Sequence, residues 1–318
     1  MVKKITFFLF SCLFLLTATT AQAEKIITVT DMNVVGDGTT MNTKAIQKAI
    51  DFAHAQKNGG CVVFPKGKYL TGTLVLKSNV TLKIEKDAVI LGSTNPYDYY
   101  ALEETKGKDN SALALIVADK AQNIKIIGEG LINGNGRELA LNIDSLHHIG
   151  ERVDPNYTTR LNRPNETARP KLFFMSNCEN IHIEGLQLKN SACWGLSFDL
   201  CNNLTLKYLN FENRAYWNND GIDVTDGKHV RISHCFINSA DDGICLKSYH
   251  VGKYCDDVEI SDCEIISSAS AVKFGTASWG GFKNIVVRNI KVKDTFRSAI
   301  AVECVDGGHI DNVLVENI

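Results

Sequence analysis

A short phrase recurs along this chain and restricts the folds that it can adopt. Each copy has a polar residue, then alternating apolar positions, a short break and another strand pattern. From the second copy onward the copies begin 23 to 28 residues apart; the starts are Asn123, Asn180, Asn203, His229, Asp257, Asn284 and Asn312. This period suits a solenoid, whereas a propeller blade needs a longer one, and the Leu-x-x-Leu-x-Leu frame of leucine-rich repeats is missing. The pattern predicts an all-β fold, a parallel β-helix.

A second phrase gives the register between neighbouring coils. Its copies are Gly195–Phe198, Gly221–Val224, Gly243–Leu246, Ala271–Phe274 and Ala299–Val302. Because side chains alternate along a strand, the first aliphatic position of each copy points into the core. The next position forms an outward column of Asp223, Cys245, Lys273 and Ala301, and a second outward column holds Thr225, Lys247, Gly275 and Glu303. Asp220, Asp242, Ser270 and Ser298 stand at the strand starts.

The first residues have the pattern of an export signal. Lys3 and Lys4 precede an apolar run from Ile5 to Leu16, and Ala21-Gln22-Ala23 is a small-residue cleavage site. A membrane anchor is the alternative, but the run is short for a spanning helix. We predict a signal peptide over residues 1–23, export to the periplasm or beyond the cell, and no membrane span after cleavage.

Residues 24–318 are predicted to form one β-helix domain. A helix from Asn42 to about Gln56 has its apolar positions on one face, which suits a cap over the first coil. The chain stops at Ile318 inside a coil. Because an open solenoid end needs a cap, we expect either further C-terminal coils in the native protein or a last coil that packs against another surface.

Charge and cysteine content exclude some classes of function. The net charge of −2 gives no argument for nucleic acid as a partner, since its binders usually carry a basic patch. Nine cysteines follow the predicted signal, an odd number, and Cys235 and Cys263 hold the same place in successive coils. We predict buried, unpaired and stacked thiols. There is no CxxC pair or Cys/His cluster at zinc spacing.

Residues 141–170 lack a strand pattern and are rich in cationic side chains: His147, His148, Arg152, Arg160, Arg163 and Arg169. Structureless loops of this length are uncommon unless they are functional or disordered. We interpret the segment as a wall beside a cleft, with cations for an acidic substrate. A mobile surface loop is the alternative.

Three carboxylates are predicted to crowd one face of the rod. Asp220 and Asp242 share a frame on adjacent coils, and Asp241 precedes Asp242. A single Asp-Gly is ordinary turn chemistry, but like charges at this spacing raise at least one pKa. Such a cluster usually marks a proton-transfer or metal site. The residues alone leave hydrolase chemistry, calcium binding and plain turns open.

Several segments resemble the polygalacturonase-type glycoside hydrolases of family 28. They are Gly59 to Tyr69, Arg169 to Phe174, Asn190 to Trp194, Asn218-Asn219-Asp220 and Asp241-Asp242. The resemblance implies a right-handed, pectin-lyase-like parallel β-helix with an N-terminal capping helix. It also implies an inverting hydrolase that acts on pectic polysaccharide or oligosaccharide without a metal or cofactor. We expect a monomer.

The resemblance also implies roles for individual residues. Asp241 is the general acid, and Asp220 and Asp242 hold and deprotonate the attacking water, with a gap for that water between acid and base. Two family motifs differ: Ser270 replaces a histidine, and Ala301 and Glu303 replace an arginine and a lysine that help to bind the galacturonate carboxylate.

We therefore predict that Lys247 or Lys273 binds the carboxylate instead, or that the substrate is a modified galacturonide or of the rhamnogalacturonan type. Asn218 and Asp223 are further candidates for substrate binding. Among the nearby aromatic residues, we expect Trp217 to stack on a sugar ring.

Two other functions fit the same cluster. In a calcium-dependent β-helix polysaccharide lyase, the aspartates would bind the ion, and an arginine or lysine would abstract a proton. A non-catalytic carbohydrate-binding β-helix would account for the loss of the family's histidine, arginine and lysine. Against it, a protein that only binds has little use for clustered carboxylates.

Overall fold

The computed structural model describes residues 24–103, 112–151 and 153–318. The predicted signal peptide and Arg152 lie outside the described residues. No helix among those residues is long and apolar enough to cross a membrane.

Short strands make up most of the described chain. The first ten are β1 Lys25–Thr28, β2 Asp37–Met41, β3 Gly60–Phe64, β4 Gly67–Thr71, β5 Leu74–Val75, β6 Val80–Ile84, β7 Ala88–Gly92, β8 Ala114–Asp119, β9 Gln122–Gly128 and β10 Leu131–Asn133. The next eight are β11 Lys171–Ser176, β12 Glu179–Glu184, β13 Gln187–Lys189, β14 Leu196–Asp199, β15 Asn202–Lys207, β16 Asn210–Asn213, β17 Ile222–Thr225 and β18 Lys228–Ser233. The last seven are β19 Phe236–Ser239, β20 Ile244–Ser248, β21 Cys255–Ser267, β22 Ser270–Ser278, β23 Gly281–Lys293, β24 Ser298–Val302 and β25 His309–Glu316.

The strands stack in register into the walls of a parallel β-helix, as predicted. One sheet of eight strands, here called the front sheet, runs β5, β8, β11, β14, β17, β20, β22 and β24 in spatial order. The other seventeen strands form the remaining walls, and β21 and β23 are long enough to belong to two of them. Each named strand pairing is parallel; in the front sheet, for example, β14 pairs with β17 and β17 with β20. The side chains inside the rod form one continuous apolar core.

The first predicted outward column of the front sheet is confirmed. Asp223 pairs with Cys245, Cys245 with Lys273 and Lys273 with Ala301. The second column is confirmed for its first pair and interrupted after it. Thr225 lies opposite Lys247, but the register then shifts, because Leu246 pairs with Phe274 while Ser248 pairs with Ser278. In this interval β22 has two more residues than β20, so the strict pairing of Lys247 with Gly275 is not kept, whereas Gly275 still lies against Glu303 of the next coil.

An amphipathic helix, α1 (Thr43–His54), covers the first coil, as predicted. Its buried residues, Ile46, Ala49, Ile50 and Ala53, join the core of the rod. The side chain of Asn42 does not cap the helix. It accepts a hydrogen bond from the Val35 N–H at 2.8 Å and donates to the Thr40 carbonyl at 2.7 Å. Asn42 therefore fixes the preceding turn.

The backbone conformation explains why a polar residue opens each copy of the first phrase, and the same holds for Asn79 before β6. These residues have φ between 51° and 62°; they are Asn79, Asn123, Asn180, Asn203, His229, Asp257, Asn284 and Asn312. Asn and Asp tolerate this left-handed conformation better than other residues with side chains. Several also bond to the same position in the next coil: Asn180 donates to Asn123 at 3.0 Å and Asn203 to Asn180 at 2.6 Å.

The prediction of buried, unpaired thiols is confirmed for eight of the nine cysteines that the structure describes. All nine are free; eight are buried, and Cys304 is partly exposed.

The wall segment is wrong in part, because its first residues are helical. Helix α2 spans Gly136–His148, and a short 3-10 helix spans Glu166–Ala168. Leu139, Ala140 and Ile143 of α2 are buried. Between the helices, Tyr157 stacks on His147 with ring centroids 3.6 Å apart.

Candidate active site

Three aspartates meet beside the middle of the front sheet. Asp220 lies two residues before β17, and Asp241 and Asp242 lie just before β20. One carboxylate oxygen of each lies within 4.8 Å of one oxygen of each of the others. Asp220 and Asp242 are buried, whereas Asp241 is partly exposed. The backbone N–H of Gly221 donates to the Asp242 carbonyl at 2.9 Å, which fixes one coil against the next.

The glycine after each aspartate allows the coils to approach closely. A Cβ atom on Gly221 would lie 2.4 Å from the Gly243 carbonyl oxygen, and one on Gly243 would lie 2.5 Å from that of Ala271. Neither glycine has a positive φ. The repeated Asp-Gly therefore reflects tight stacking at the strand starts, and it does not need a left-handed turn.

The surroundings raise the pKa of two of the three acids. Burial and the charge of Asp223 raise the pKa of Asp220, and the Lys247 ammonium opposes this shift. Burial, followed by the charge of Asp242, raises the pKa of Asp241. Asp241 is also the most exposed of the three, so it combines a raised pKa with access to a substrate, and a general acid requires both.

Lys247 is enclosed by protein groups. Its Nζ lies 2.5 Å from Asp223 Oδ1 and 3.7 Å from Asp220 Oδ2, and its side chain is 8% exposed. The same ammonium lies 4.5 Å from the centroid of the Trp194 ring. Burial opposes the charge on Lys247, but Asp223 and Asp220 raise its pKa well above the ordinary value. Lys247 and Asp223 are therefore both buried and paired with each other.

Lys273 also pairs with protein carboxylates. Its Nζ lies 3.3 Å from Asp242 Oδ2 and 3.4 Å from Glu303 Oε2. The other oxygen of Asp242 accepts a hydrogen bond from the Ser270 N–H at 3.0 Å. Both oxygens of Asp242 thus have partners. Glu303, which stands in place of the family's lysine, is thus paired with Lys273.

The same ammonium groups bear on the calcium alternative. Asp220, Asp241 and Asp242 form the one group among the described residues that could hold a metal ion. Calcium needs six to eight oxygen ligands, but Lys247 and Lys273 each lie within 4 Å of a carboxylate in this group. Because Lys247 neutralises Asp220 and Lys273 neutralises Asp242, the arrangement does not favour a calcium site.

The segment that carries Asp220 is clamped by buried side chains. Asn219 Nδ2 donates to the carbonyls of Ser191 and Cys193 at 2.9 and 2.6 Å. Arg169, which is fully buried, donates to the Trp217 carbonyl at 2.6 Å and to Asn218 Oδ1 at 2.7 Å. Arg169 therefore positions this segment and does not face a substrate.

An open cleft of ≈ 680 Å³ adjoins Asp241, and Asn218 and Trp217 line it. The Trp217 side chain is 61% exposed, and the Arg163 guanidinium lies 4.5 Å from its ring centroid. The wall segment thus contributes one cation over a cleft aromatic, in keeping with its predicted place beside a cleft.

Three arginines that the sequence analysis did not select also line this cleft: Arg137, Arg214 and Arg297. Arg137 comes from α2, Arg214 follows β16, and Arg297 precedes β24. None of them belongs to a repeated frame or to a motif. The sequence could have indicated these arginines only through their positions, because each lies in or next to an element that flanks the three aspartates.

Comparisons with known proteins place this geometry in a family. The family model for glycosyl hydrolases family 28 matches residues 56–306. The exo-poly-α-D-galacturonosidase of Dickeya chrysanthemi is 28% identical over 263 residues, which cover 72% of this chain and 43% of that protein. Polygalacturonase-2 of Solanum lycopersicum is 25% identical over 305 residues, 85% of this chain and 61% of that protein. The chain thus spans less than two thirds of either relative.

Among solved structures, the polygalacturonase from Erwinia carotovora ssp. carotovora superposes with a TM-score of 0.72 and 20% identity. The match covers 93% of this chain and 78% of that one. At this identity the likeness establishes the fold, a right-handed parallel β-helix.

Proposed function

Because the chain belongs to glycosyl hydrolases family 28, we propose that it hydrolyses glycosidic bonds in a pectic polysaccharide or its oligosaccharides. The observation that carries this proposal is the meeting of Asp220, Asp241 and Asp242 within 4.8 Å beside an open cleft. The names of the matched relatives support a galacturonate-containing substrate. We further propose that the protein is exported and acts as a monomer without a metal or cofactor.

In this mechanism Asp241 gives its proton to the glycosidic oxygen as the bond from that oxygen to the anomeric carbon breaks. Asp220 and Asp242 hold a water against the opposite face of the sugar. Asp220 accepts a proton from that water while the oxygen bonds to the anomeric carbon. Burial raises the pKa of both Asp220 and Asp241. What distinguishes them is that Asp241 is partly exposed, which supports its role as donor, whereas Asp220 lies 3.7 Å from the Lys247 ammonium, which favours its ionised form. The partners of Asp242 on both oxygens fix its carboxylate in place.

The spacing of the acids differs from the expected gap. Inverting enzymes ordinarily separate their two carboxyl groups by about 6.5–9.5 Å, whereas here the nearest oxygens lie within 4.8 Å. We nevertheless propose inversion. The support for inversion is the resemblance of Asn218-Asn219-Asp220 and Asp241-Asp242 to the motifs of the family, which implies inversion.

The test is the release of reducing ends from homogalacturonan, rhamnogalacturonan and side-chain oligosaccharides by the wild type and by Asp241→Asn. We expect release from at least one acidic substrate, reduced by about 10³-fold or more in the variant, since general acid catalysis contributes about 10²–10⁴-fold. An ultraviolet-absorbing unsaturated end would instead indicate a lyase. Binding without cleavage by the wild type would favour the non-catalytic alternative.

A further inference from the structure

We propose that Arg137, Arg214 and Arg297 form the binding site for a carboxylate of the substrate, on the sugar that leaves with the protonated oxygen. This inference rests on the proposed hydrolase function, and it names the acidic group that the site selects. Lys247 and Lys273, the two lysines expected to bind this carboxylate, already pair with protein carboxylates.

The charge balance of the cleft is the first observation. Its lining includes three guanidinium groups and one acid, Asp241. Neither the Arg137 nor the Arg297 side chain forms a hydrogen bond or ion pair within the part of the chain that the structure describes. Like charges in one cavity repel each other. An anion that enters would relieve this repulsion and accept charge-assisted hydrogen bonds, for which the planar guanidinium is well suited.

The anchoring of these arginines is the second observation. The Arg214 side chain donates to Asn238 Oδ1 through Nε and to Ser268 Oγ at 2.8 Å through one terminal nitrogen. This bridge spans neighbouring coils and orients the guanidinium before a ligand arrives. The backbone N–H of Arg297 donates to the Ala269 carbonyl at 2.9 Å, which fixes the base of that side chain. Preorganised donors bind with a smaller entropic cost than mobile ones.

The position of the cleft assigns the carboxylate to one sugar. Asp241 lines the cleft, whereas Asp220 and Asp242 do not. In the proposed mechanism Asp241 faces the glycosidic oxygen that departs with the leaving sugar. The arginines on the side of Asp241 therefore face the leaving sugar, which is the one toward the reducing end.

The experiment measures binding to Asp241→Asn protein, which retains the cleft but is not expected to cleave. Three disaccharides serve as probes: digalacturonate, its analogue with only the reducing-end carboxylate reduced to the alcohol, and its analogue with only the other carboxylate reduced. A second variant adds Arg137→Gln and Arg297→Gln. Arg160→Gln is the matched control, because Arg160 is exposed in the wall segment and does not line the cleft.

We expect the two arginine substitutions to weaken binding of digalacturonate by about 100-fold or more, since each lost hydrogen bond to a charged group lowers affinity by about tenfold or more. They should weaken the analogue that keeps the reducing-end carboxylate equally, and the analogue that lacks it by less than about threefold. The control should bind all three like the parent.

Equal affinity of parent and double variant for all three probes would overturn the inference while leaving hydrolysis by the wild type intact. A loss confined to the analogue that keeps only the other carboxylate would overturn the assignment to the leaving sugar. If the parent binds none of the probes and the wild type releases no reducing ends, the proposed function itself fails.

Discussion

At the scale of single residues, Lys247 differs most from its sequence-based interpretation. It was expected to bind the substrate, but its ammonium lies between Asp223 and Asp220 beneath the cleft. An opposite charge within about 4–6 Å lowers a carboxyl pKa by roughly one to three units. Lys247 therefore favours the ionised form of Asp220, which the proposed base must have before it can accept a proton.

We predict that Lys247→Met moves the acid limb of the pH profile of kcat/KM to higher pH by about one unit or more. The sign follows because loss of the ammonium raises the pKa of Asp220, so the base is ionised only at higher pH. We expect kcat to fall by at least about tenfold and KM to change little. Kinetics across the pH range on the preferred substrate would measure all three effects.

Lys293→Met is the matched control, because Lys293 pairs with Glu264 at 2.6 Å on a different wall of the rod. Its pH profile should coincide with that of the wild type. A raised KM in Lys247→Met with an unmoved pH profile would restore the substrate-binding role that the sequence suggested.

The close spacing of the acids gives a second prediction at this scale. If Asp242 and Asp220 hold a water instead of attacking the sugar, the first product has the opposite anomeric configuration to the bond cleaved. Proton NMR during the first minutes of hydrolysis, before mutarotation mixes the anomers, would record it. An initial product with retained configuration would show that one of these aspartates forms a covalent intermediate.

At the scale of strands and turns, the repeated phrases predicted pairing well. Two-residue alternation placed Asp223, Cys245 and Lys273 in one column, because the period of a strand is strict. The same reasoning did not predict the register shift after Leu246, where β22 has two more residues than β20, because an insertion within a strand leaves no mark in the repeated phrase. Helix α2 was not predicted, because residues 141–170 lack a strand pattern and were interpreted as a loop for that reason.

The stacked left-handed residues give the prediction at this scale. Asn203 has φ 57° and donates to Asn180 at 2.6 Å. Asn203→Ala should lower the free energy of unfolding by about 1–2 kcal/mol or more, because alanine is strained at this φ and the hydrogen bond is lost. Asn203→Gly loses only the hydrogen bond and should be the more stable of the two. Urea denaturation would measure both.

Thr205 in the same strand provides the control, since its backbone is not among those with positive φ. There the order should reverse, with Thr205→Gly less stable than Thr205→Ala by about 0.5–1 kcal/mol. The same order of Ala and Gly at both positions would mean that the left-handed backbone does not govern the choice of Asn203.

At the scale of the whole molecule, the coil stack assembles a site from distant parts of the chain. Arg137, Arg214 and Arg297 reach one cleft because α2 and the segments beside β16 and β24 flank the same stretch of the front sheet. Sequence repeats identify the aspartates, which share a frame, but not the arginines, which share none. Side chains supplied by the irregular connections of a solenoid are visible only once the coils are stacked.

The same architecture predicts how the protein loses structure. In a solenoid each coil contacts only its neighbours, so stability is roughly a sum of local terms. Ile50 of α1 is fully buried against the first coil. Ile50→Ala should cost about 2–5 kcal/mol locally, and it should release the N-terminal end of the rod before the front-sheet strands that carry the acids.

Hydrogen exchange followed by mass spectrometry would test this expectation. Amides of β1, β3 and α1 should exchange faster in Ile50→Ala, whereas those of β17, β20 and β22 keep their protection and the enzyme keeps its activity at moderate temperature. Ile265→Ala, a matched change in β21 near the catalytic coils, should instead expose β20 and β22 and lower activity. Equal loss of protection along the whole chain in Ile50→Ala would mean that the rod unfolds as one cooperative unit, so that the cap and the active site share a single stability.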